Sequence, residues 1–420
     1  MSPPPASTAA ADPEATTAPT RPSRAIVITV LGITQILAWG STFYLLAVLA
    51  PVIAADTGWP KTFVVGGLTL GLVAASLVSP RVGRAVEATG GRPVLVGSAL
   101  VMAAGLALLG LATSRTLYLA AWLVIGLGMG AGLYDAAFAT LGRLYGSTAR
   151  SAITALTLFG GFASTVGWPL SAFLVETLGW RGACFAYAAM HVLVIAPLYL
   201  TLLPRRPAPA PVATPALPAG GEKTGSDEAA SAARPAGDDR LLRLTLSAAL
   251  TVSGIATAVI SVHLITLLQA RDLTLAAAVG LAAMVGPSQV GARVLEAWIG
   301  RRYHPIWTAG ASAALTFTGV AILALGWAVL PLALVCYGAG IGIRSIVKGT
   351  LPLALFGPHG YAALMGRLAL PQLLVAALAP LAAAWLLEAA GPTALLWTLA
   401  GVTALDAVLM GLIQVQMRGR

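Results

Sequence analysis

Residues 331–356 read PLALVCYGAGIGIRSIVKGTLPLALF. At roughly 1.5 Å per residue, a helix of this length crosses a bilayer core of about 30 Å. Its only charges are Arg344 and Lys348. A charge at the centre of a membrane helix costs roughly 2.5–3.5 kcal/mol on insertion scales, so each one is a functional-site hypothesis by default. Two like charges four residues apart share one helix face and repel each other. Something negative should complete this site.

The rest of the chain supports a membrane reading of this stretch. The 420 residues are 58% hydrophobic and 10% charged, with a mean hydropathy of +0.87. Soluble domains carry about 25% charged residues, so the chain is an integral membrane protein. The formal charge of +10 forms no basic stripe interleaved with aromatics, so nucleic acid is not an expected partner. Cys184 and Cys336 stand far apart in apolar segments and read as small core residues. With no CxxC and too few ligands for a structural zinc site, neither a metal nor a cofactor is expected. Residues 1–24 lack the basic-then-apolar order of a signal peptide and read as a disordered cytoplasmic tail.

Apolar stretches of membrane length recur at 25–50, 63–80, 93–112, 116–141, 151–175 and 182–203, and again at 243–269, 274–297, 306–327, 331–356, 367–388 and 393–415. These are helices 1 to 12. They form an N-terminal half over 25–203 and a C-terminal half over 243–415, with a cytoplasmic C-terminus at 416–420. Between the halves, 204–242 is rich in Pro, Ala and Gly and reads as a disordered linker. With the N-terminus placed in the cytoplasm, 18 Lys and Arg residues fall on cytoplasmic segments and 4 on the outside. That bias puts both termini and the linker inside. Arg293, Arg344 and Lys348 are left within helices.

The halves echo each other. A shift of 212 residues carries Gly126, Gly128 and Gly130 onto Gly338, Gly340 and Gly342, and Gly179 onto Gly391. Tyr44 in helix 1 stands opposite His263 in helix 7. The glycine run 126–132 sits inside a membrane helix with no preceding strand, so it is a packing surface and not a phosphate loop. A parallel repeat of two six-helix halves is a transporter architecture, with substrate held between the halves near the midplane.

The loop after helix 2, GRAVEATGGRP over 83–93, is similar to the signature loop of the major facilitator superfamily. Gly83, Glu87, Gly90 and Arg92 match it, with Glu in place of Asp, while Ala88 and Gly91 stand where basic residues are usual. A degenerate copy, GARVLEAWIGRR, follows helix 8. The stretch GWPLSAFLVETLGWRGACF over 167–185 resembles the bacterial branch near monocarboxylate and oxalate/formate carriers. Helix 1 has no Lys and helix 8 offers MVGPSQVGAR in place of that branch's Asp-x-x-x-Arg. The resemblance implies an all-α fold of twelve transmembrane helices in two pseudo-symmetric halves, monomeric, in the bacterial inner membrane. It also implies that helices 1, 4, 7 and 10 line a central cavity.

On that frame Arg344 lies about 18 Å from the cytoplasmic end of helix 10 and Lys348 about 12 Å, and snorkelling spans only a fraction of the larger depth. Arg344 and Lys348 are the expected anion-binding pair, with Tyr337 on the same face. The competing reading is a buried ion-pair network that fixes helix packing. Gln35, Trp39 and Thr42 share one face of helix 1 and join the substrate set. Asp135 and His263 are the proton-coupling candidates, and Asp135, the pseudo-symmetric neighbour of Lys348, could instead pair with Arg344 or Lys348 or brace the inner gate near Arg143. Gly83, Glu87, Gly90, Arg92, Arg143, Arg293 and Glu296 are the gating set, and Arg293 is close enough in sequence to Glu296 to pair with it. Asp406 in helix 12 reads as a structural partner.

The expected function is secondary active transport of a small anionic solute by alternating access, coupled to protons as a symporter or antiporter. The alternative is an efflux carrier for drugs, metabolites or metalloid oxyanions. Nothing resembles an ATP-binding domain, so an ion gradient or exchange must drive transport. No catalytic constellation is present, so the chain is not expected to be an enzyme.

Overall fold

A computed structural model describes residues 22–205, 236–326 and 329–418. The expected tail is described only at 22–24, and the expected linker only at 204–205 and 236–242, where 236–242 are helical and belong to helix 7. Among those described, nine helical stretches are long and apolar enough to span a membrane. Two of them are too long to be one crossing. The stretch Arg115–Leu202 has 88 residues and Tyr361–Arg418 has 58, against the roughly 20 that a bilayer core requires. The first turns back at the short 3-10 turn Gly146–Thr148 and again at Gly179. The second turns back at Gly391. Twelve crossings result, six before the undescribed segment 206–235 and six after it.

The two interior turns are the repeat made visible. Gly179 has φ 70° and ψ 170°, and Gly391 has φ 81° and ψ 177°. A β-carbon is strained in that region, so glycine is what lets the chain reverse there. The glycine triplets repeat in their contacts as well. In helix 4, Gly126 and Gly130 lie against the backbone of helix 2 at Gly71 and Ala75, while Gly128 lies against Met102 of helix 3. In helix 10, Gly338 and Gly342 lie against helix 8 at Val285 and Gln289, and Gly340 against Ser312 and Thr316 of helix 9. Small residues let helix backbones approach where lipid leaves no hydrophobic drive for association.

Several helices depart from the simple spans read in the sequence. Helix 2 runs Lys61–Thr89, beyond the expected end at 80, because Val82 and Val86 stay buried past that point. Helix 7 is already helical at Ala236. Helix 1 is two pieces, Arg24–Ser41 and Leu45–Thr57. Helix 4 is two pieces, Arg115–Gly132 and Tyr134–Tyr145, joined through an extended Leu133 at φ −84° and ψ −165°. Helix 5 breaks between Gly160 and Ala163, and helix 8 between Ala282 and Val285. Helix 6 carries a π-turn at His191–Ile195.

An even number of crossings brings Arg24 and Arg418 to the same face, here called the terminal face. The halves join on that side. Leu353, Tyr361, Ala362 and Met365 of the C-terminal half are buried in one apolar cluster with Val27, Val86, Phe138 and Ile153 of the N-terminal half. Gly83 meets Ala362 and Gly366 backbone to backbone, and Ser76 Oγ donates to the Leu370 carbonyl at 2.8 Å. Towards the opposite face the cores separate. The cluster around Leu49, Trp122 and Trp180 takes only Ala377 and the partly buried Leu373 from the other half, and the cluster around Ile260 and Tyr337 takes no N-terminal residue. The space between the halves therefore opens away from the terminal face.

A β-carbon on Gly83 would sit 2.5 Å from the Ala362 carbonyl oxygen, and backbone cannot yield as a side chain does. Gly83→Leu is expected to lower stability by about 1–3 kcal/mol, the usual cost of overpacking, read as a lower melting temperature in detergent. Gly97→Leu, at a glycine with open space around it, is the control. Equal melting temperatures for the two variants contradict the close crossing.

Candidate functional site

Arg344 and Lys348 each have a carboxylate, and not the same one. Arg344 is paired with Asp406 of helix 12, inside the C-terminal half, and both are buried. Lys348 reaches across to the N-terminal half, where its Nζ lies 2.8 Å from Asp135 Oδ1 and 3.0 Å from Oδ2. The two cations do repel along helix 10, and each is neutralised from a different direction.

The break in helix 4 sets Asp135 in place. Because Leu133 is extended, Tyr134–Tyr145 begins a new helix with Asp135 in its first turn. The positive end of a helix favours a carboxylate there. The break needs support, which comes from helix 1. Gln35 Nε2 donates to the Gly132 carbonyl at 2.6 Å, and Gln35 Oε1 accepts from Trp39 Nε1 at 3.2 Å. Trp39 packs on Tyr134 with ring centroids 5.3 Å apart, and Tyr134 stacks on Phe138 at 5.1 Å. Tyr44 and Trp168 extend this aromatic wall. Gln35 and Trp39 thus spend their polar groups on the helix break. Thr42, the last of that set, donates to the Ala38 carbonyl at 2.6 Å, where the first piece of helix 1 stops.

Tyr337 is buried in the core of the C-terminal half beside Val320 and Leu334 and does not join the charged residues. His263 Nε2 is 3.0 Å from the Pro380 carbonyl. A carbonyl only accepts, so Nε2 carries the proton in that bond and joins helix 7 to helix 11.

The expected pairing of Arg293 with Glu296 does not form. Arg293 is buried, and its three nitrogens donate to the Gly342 carbonyl at 3.2 Å, the Thr157 carbonyl at 3.1 Å and Gln289 Oε1 at 3.4 Å. It therefore bridges helix 5 of one half to helices 8 and 10 of the other. Among the described residues no carboxylate lies within ion-pair distance of Arg293. It sits over Gly161, while the Tyr134 hydroxyl, buried and without a hydrogen-bond partner, sits over Gly160. Glu296 faces Arg150 instead, at 3.8 Å, and Thr308 Oγ1 at 3.5 Å.

The remaining gating candidates gather at the terminal face. Glu87 Oε2 accepts from the backbone N–H of Ala362 at 3.2 Å, at the start of helix 11, while Arg143 donates to the Glu87 carbonyl at 3.2 Å and lies 3.9 Å from its carboxylate. Gly90, at φ 85°, ends helix 2. Arg92 reaches the Leu203 carbonyl at 3.4 Å and so ties helix 3 to helix 6 within one half. Arg150 donates to the carbonyls of Gly300 at 2.6 Å and Tyr303 at 2.8 Å. Next to it, in the loop before helix 9, burial and then the Arg150 charge hold the His304 imidazole below its ordinary pKa. Its Nδ1 is free to accept from the Ile306 N–H at 3.2 Å.

One buried titratable side chain escaped the sequence reading. His191 is fully buried at the start of the π-turn in helix 6, and its Nε2 is 2.9 Å from Ser41 Oγ, at the break in helix 1. Its place within the sixth apolar stretch was signal enough, since an ionisable residue at that depth needs a reason.

Residues 31–359 match the family model described as Major Facilitator Superfamily. No curated protein matches the chain. Among solved structures, the human organic anion transporter MFSD10 (TETRAN) is similar at 20% identity and TM-score 0.68, with 93% of this chain and 100% of that one covered. FucP in the outward conformation is similar at 16% identity and TM-score 0.68, covering 93% and 99%. The proton:xylose symporter XylE, bound to 6-bromo-6-deoxy-D-glucose, is similar at 13% identity and TM-score 0.69, covering 92% and 95%. At these identities the likeness is one of fold.

Removing one member of a buried ion pair costs about 3–5 kcal/mol, because the other charge is left uncompensated. The Asp135–Lys348 pair is only partly buried, so Asp135→Asn is expected to cost less than that, and Lys348→Gln added to it to recover most of the loss, as measured by thermal unfolding in detergent. Losses that simply add in the double variant contradict direct pairing.

Proposed function

The chain belongs to the major facilitator superfamily, and we propose that it carries a small organic anion across the inner membrane of a bacterium, driven by protons. It is a secondary transporter and not an enzyme. The observation that carries the anion reading is Arg293. It is a buried cation at the meeting of both halves, bonded only to neutral acceptors, among the described residues. Arg344 and Lys348 are already neutralised. A guanidinium keeps five donors and prefers planar anions such as carboxylates. Gln289 and the unpartnered hydroxyl of Tyr134 stand ready to complete the contact. The resemblance of residues 167–185 to monocarboxylate-type carriers supports a carboxylate as the anionic group.

Asp135 and Lys348 supply the coupling. Opening the terminal face separates helix 4 from helix 10 and would leave both charges unpaired at depth, which is costly. A proton on Asp135 removes one of those charges. A substrate anion drawn from Arg293 towards Lys348 offsets the other. The terminal face then opens readily only when proton and anion are both aboard. With Lys and Arg concentrated on the terminal side, that face is cytoplasmic and the described state is open outward.

The aromatic wall of Trp39, Tyr44, Tyr134 and Trp168 supports a second reading, efflux of a bulkier aromatic anion through the same site. Direction separates the two. An imposed inward proton gradient in proteoliposomes drives accumulation under the first reading and expulsion under the second.

Arg293→Gln is expected to abolish proton-driven anion flux in proteoliposomes while the protein still inserts and folds. The double variant Arg344→Gln with Asp406→Asn is expected to retain flux, because it removes a pair that neutralises itself. Normal anion transport by Arg293→Gln contradicts the proposal, as does movement of uncharged solutes alone. Asp135→Asn is expected to bind the anion but to lose the dependence of flux on the proton gradient.

A further inference from the structure

At the terminal face, apart from the central space, a cavity of about 330 Å³ lies between the two halves. One wall comes from the N-terminal half, at the start of helix 1 and of helix 5, with Arg24, Arg150, Ser151 and Leu158. The other comes from the end of helix 8, with Glu296 and Ala297. Its volume is at the lower end of the range for small-molecule pockets, about 300–1,000 Å³. We propose that this cavity is a binding site for a phosphate-bearing anion with a short carbon chain, and that its ligand holds the terminal face closed.

The two arginines are positioned in advance, and mostly by neutral groups. Arg24 donates through Nη2 alone, to the Thr148 carbonyl at 2.7 Å and to Ser151 Oγ at 2.7 Å, and its guanidinium lies 4.8 Å from the centre of the Tyr145 ring. Its Nε and Nη1 remain to donate. Arg150 is oriented by the Gly300 and Tyr303 carbonyls. The single acid in the lining, Glu296, lies 3.8 Å from Arg150 and is shared with Thr308. Two cations therefore face one carboxylate, which leaves a net positive lining.

The chemistry of the remaining lining selects the ligand. Ser151 accepts from Arg24 and keeps its own proton to donate, and Ser147 and Thr154 add hydroxyls, while the Thr148 hydroxyl is spent on the Tyr145 carbonyl at 2.8 Å. Guanidinium groups and hydroxyls at several angles suit a tetrahedral anion with several acceptor oxygens, which a flat carboxylate supplies less well. Ala155, Leu158 and Ala297 supply apolar lining that fits a short carbon chain. Because each half supplies one wall, the site exists only while the halves are together on this side. A ligand that binds one state and not the other shifts the population towards it. Occupancy therefore slows transport without entering the transport path.

The phosphate chemistry has two sources, a soluble phosphate ester or the headgroup of an anionic phospholipid. Purified protein is titrated with glycerol 3-phosphate in detergent, and separately reconstituted in nanodiscs of phosphatidylglycerol or phosphatidylcholine, with melting temperature and transport rate as readouts. Glycerol 3-phosphate is expected to raise the melting temperature of the wild type and of Arg293→Gln alike. Arg24→Gln is expected to weaken that binding at least tenfold and to transport normally when no ligand is present. If only phosphatidylglycerol stabilises, and Arg24→Gln removes the effect, the ligand is the lipid headgroup and the site stands. A shift that survives Arg24→Gln but disappears in Arg293→Gln overturns the proposal, because the anion then occupies the transport site. No shift from either source also overturns it.

Discussion

A charge inside a bilayer must be neutralised, hydrated or kept near the surface, and most of this structure's central arrangement follows from that constraint. Helix 10 carries two cations one turn apart. Asp406 settles Arg344 within its own half, which makes helices 10 and 12 a unit. Asp135 settles Lys348 from the other half, so the cost of separating the halves includes the cost of baring a charge. The first pair stabilises a rigid body. The second links the two halves.

The second pair depends on defects in the helices around it. Asp135 is at a helix start only because Leu133 interrupts helix 4. The carbonyl exposed by that interruption is satisfied by Gln35, which also takes the Trp39 indole N–H. Broken membrane helices are tolerated when neighbouring side chains re-satisfy the freed backbone groups. Here that neighbour is the first piece of helix 1, which is itself interrupted at 42–44. The interruptions in helices 1, 4 and 5 fall in the N-terminal half, and in the C-terminal half helix 8 is broken. Glycine contacts between helices 2 and 4, and between helices 8 and 10, give each half smooth internal packing around these breaks.

Much of the fold was legible in the sequence because the membrane simplifies the problem. Span length, loop charge and a 212-residue shift gave twelve helices in two halves, and Gly179 and Gly391 make the same turn 212 residues apart. The depth of Arg344 and Lys348 was legible too. Asp135 was legible as a counter-charge from the other half, but which of the two cations it takes was not, because that choice is made by helix packing and not by sequence spacing. Arg344 takes Asp406, 62 residues away, and Lys348 takes Asp135, 213 residues away. Arg293 and Glu296 were paired on spacing alone, yet their side chains diverge to Gly342 and Arg150. The extended Leu133 has no strong local marker besides the glycines before it, so the reason for Gln35 was invisible until helices 1 and 4 were seen side by side.

If the Asp135–Lys348 pair holds the terminal face closed, removing the carboxylate frees that face to open. Ala88, at the end of helix 2, and His359, between helices 10 and 11, are both exposed on that face. Spin labels at these two positions, with Cys184 and Cys336 replaced by Ser, report the distance between the halves by pulsed electron paramagnetic resonance in nanodiscs. One short distance is expected in the otherwise unaltered protein and a growing population at longer distance in Asp135→Asn. The same short distribution in both proteins contradicts it.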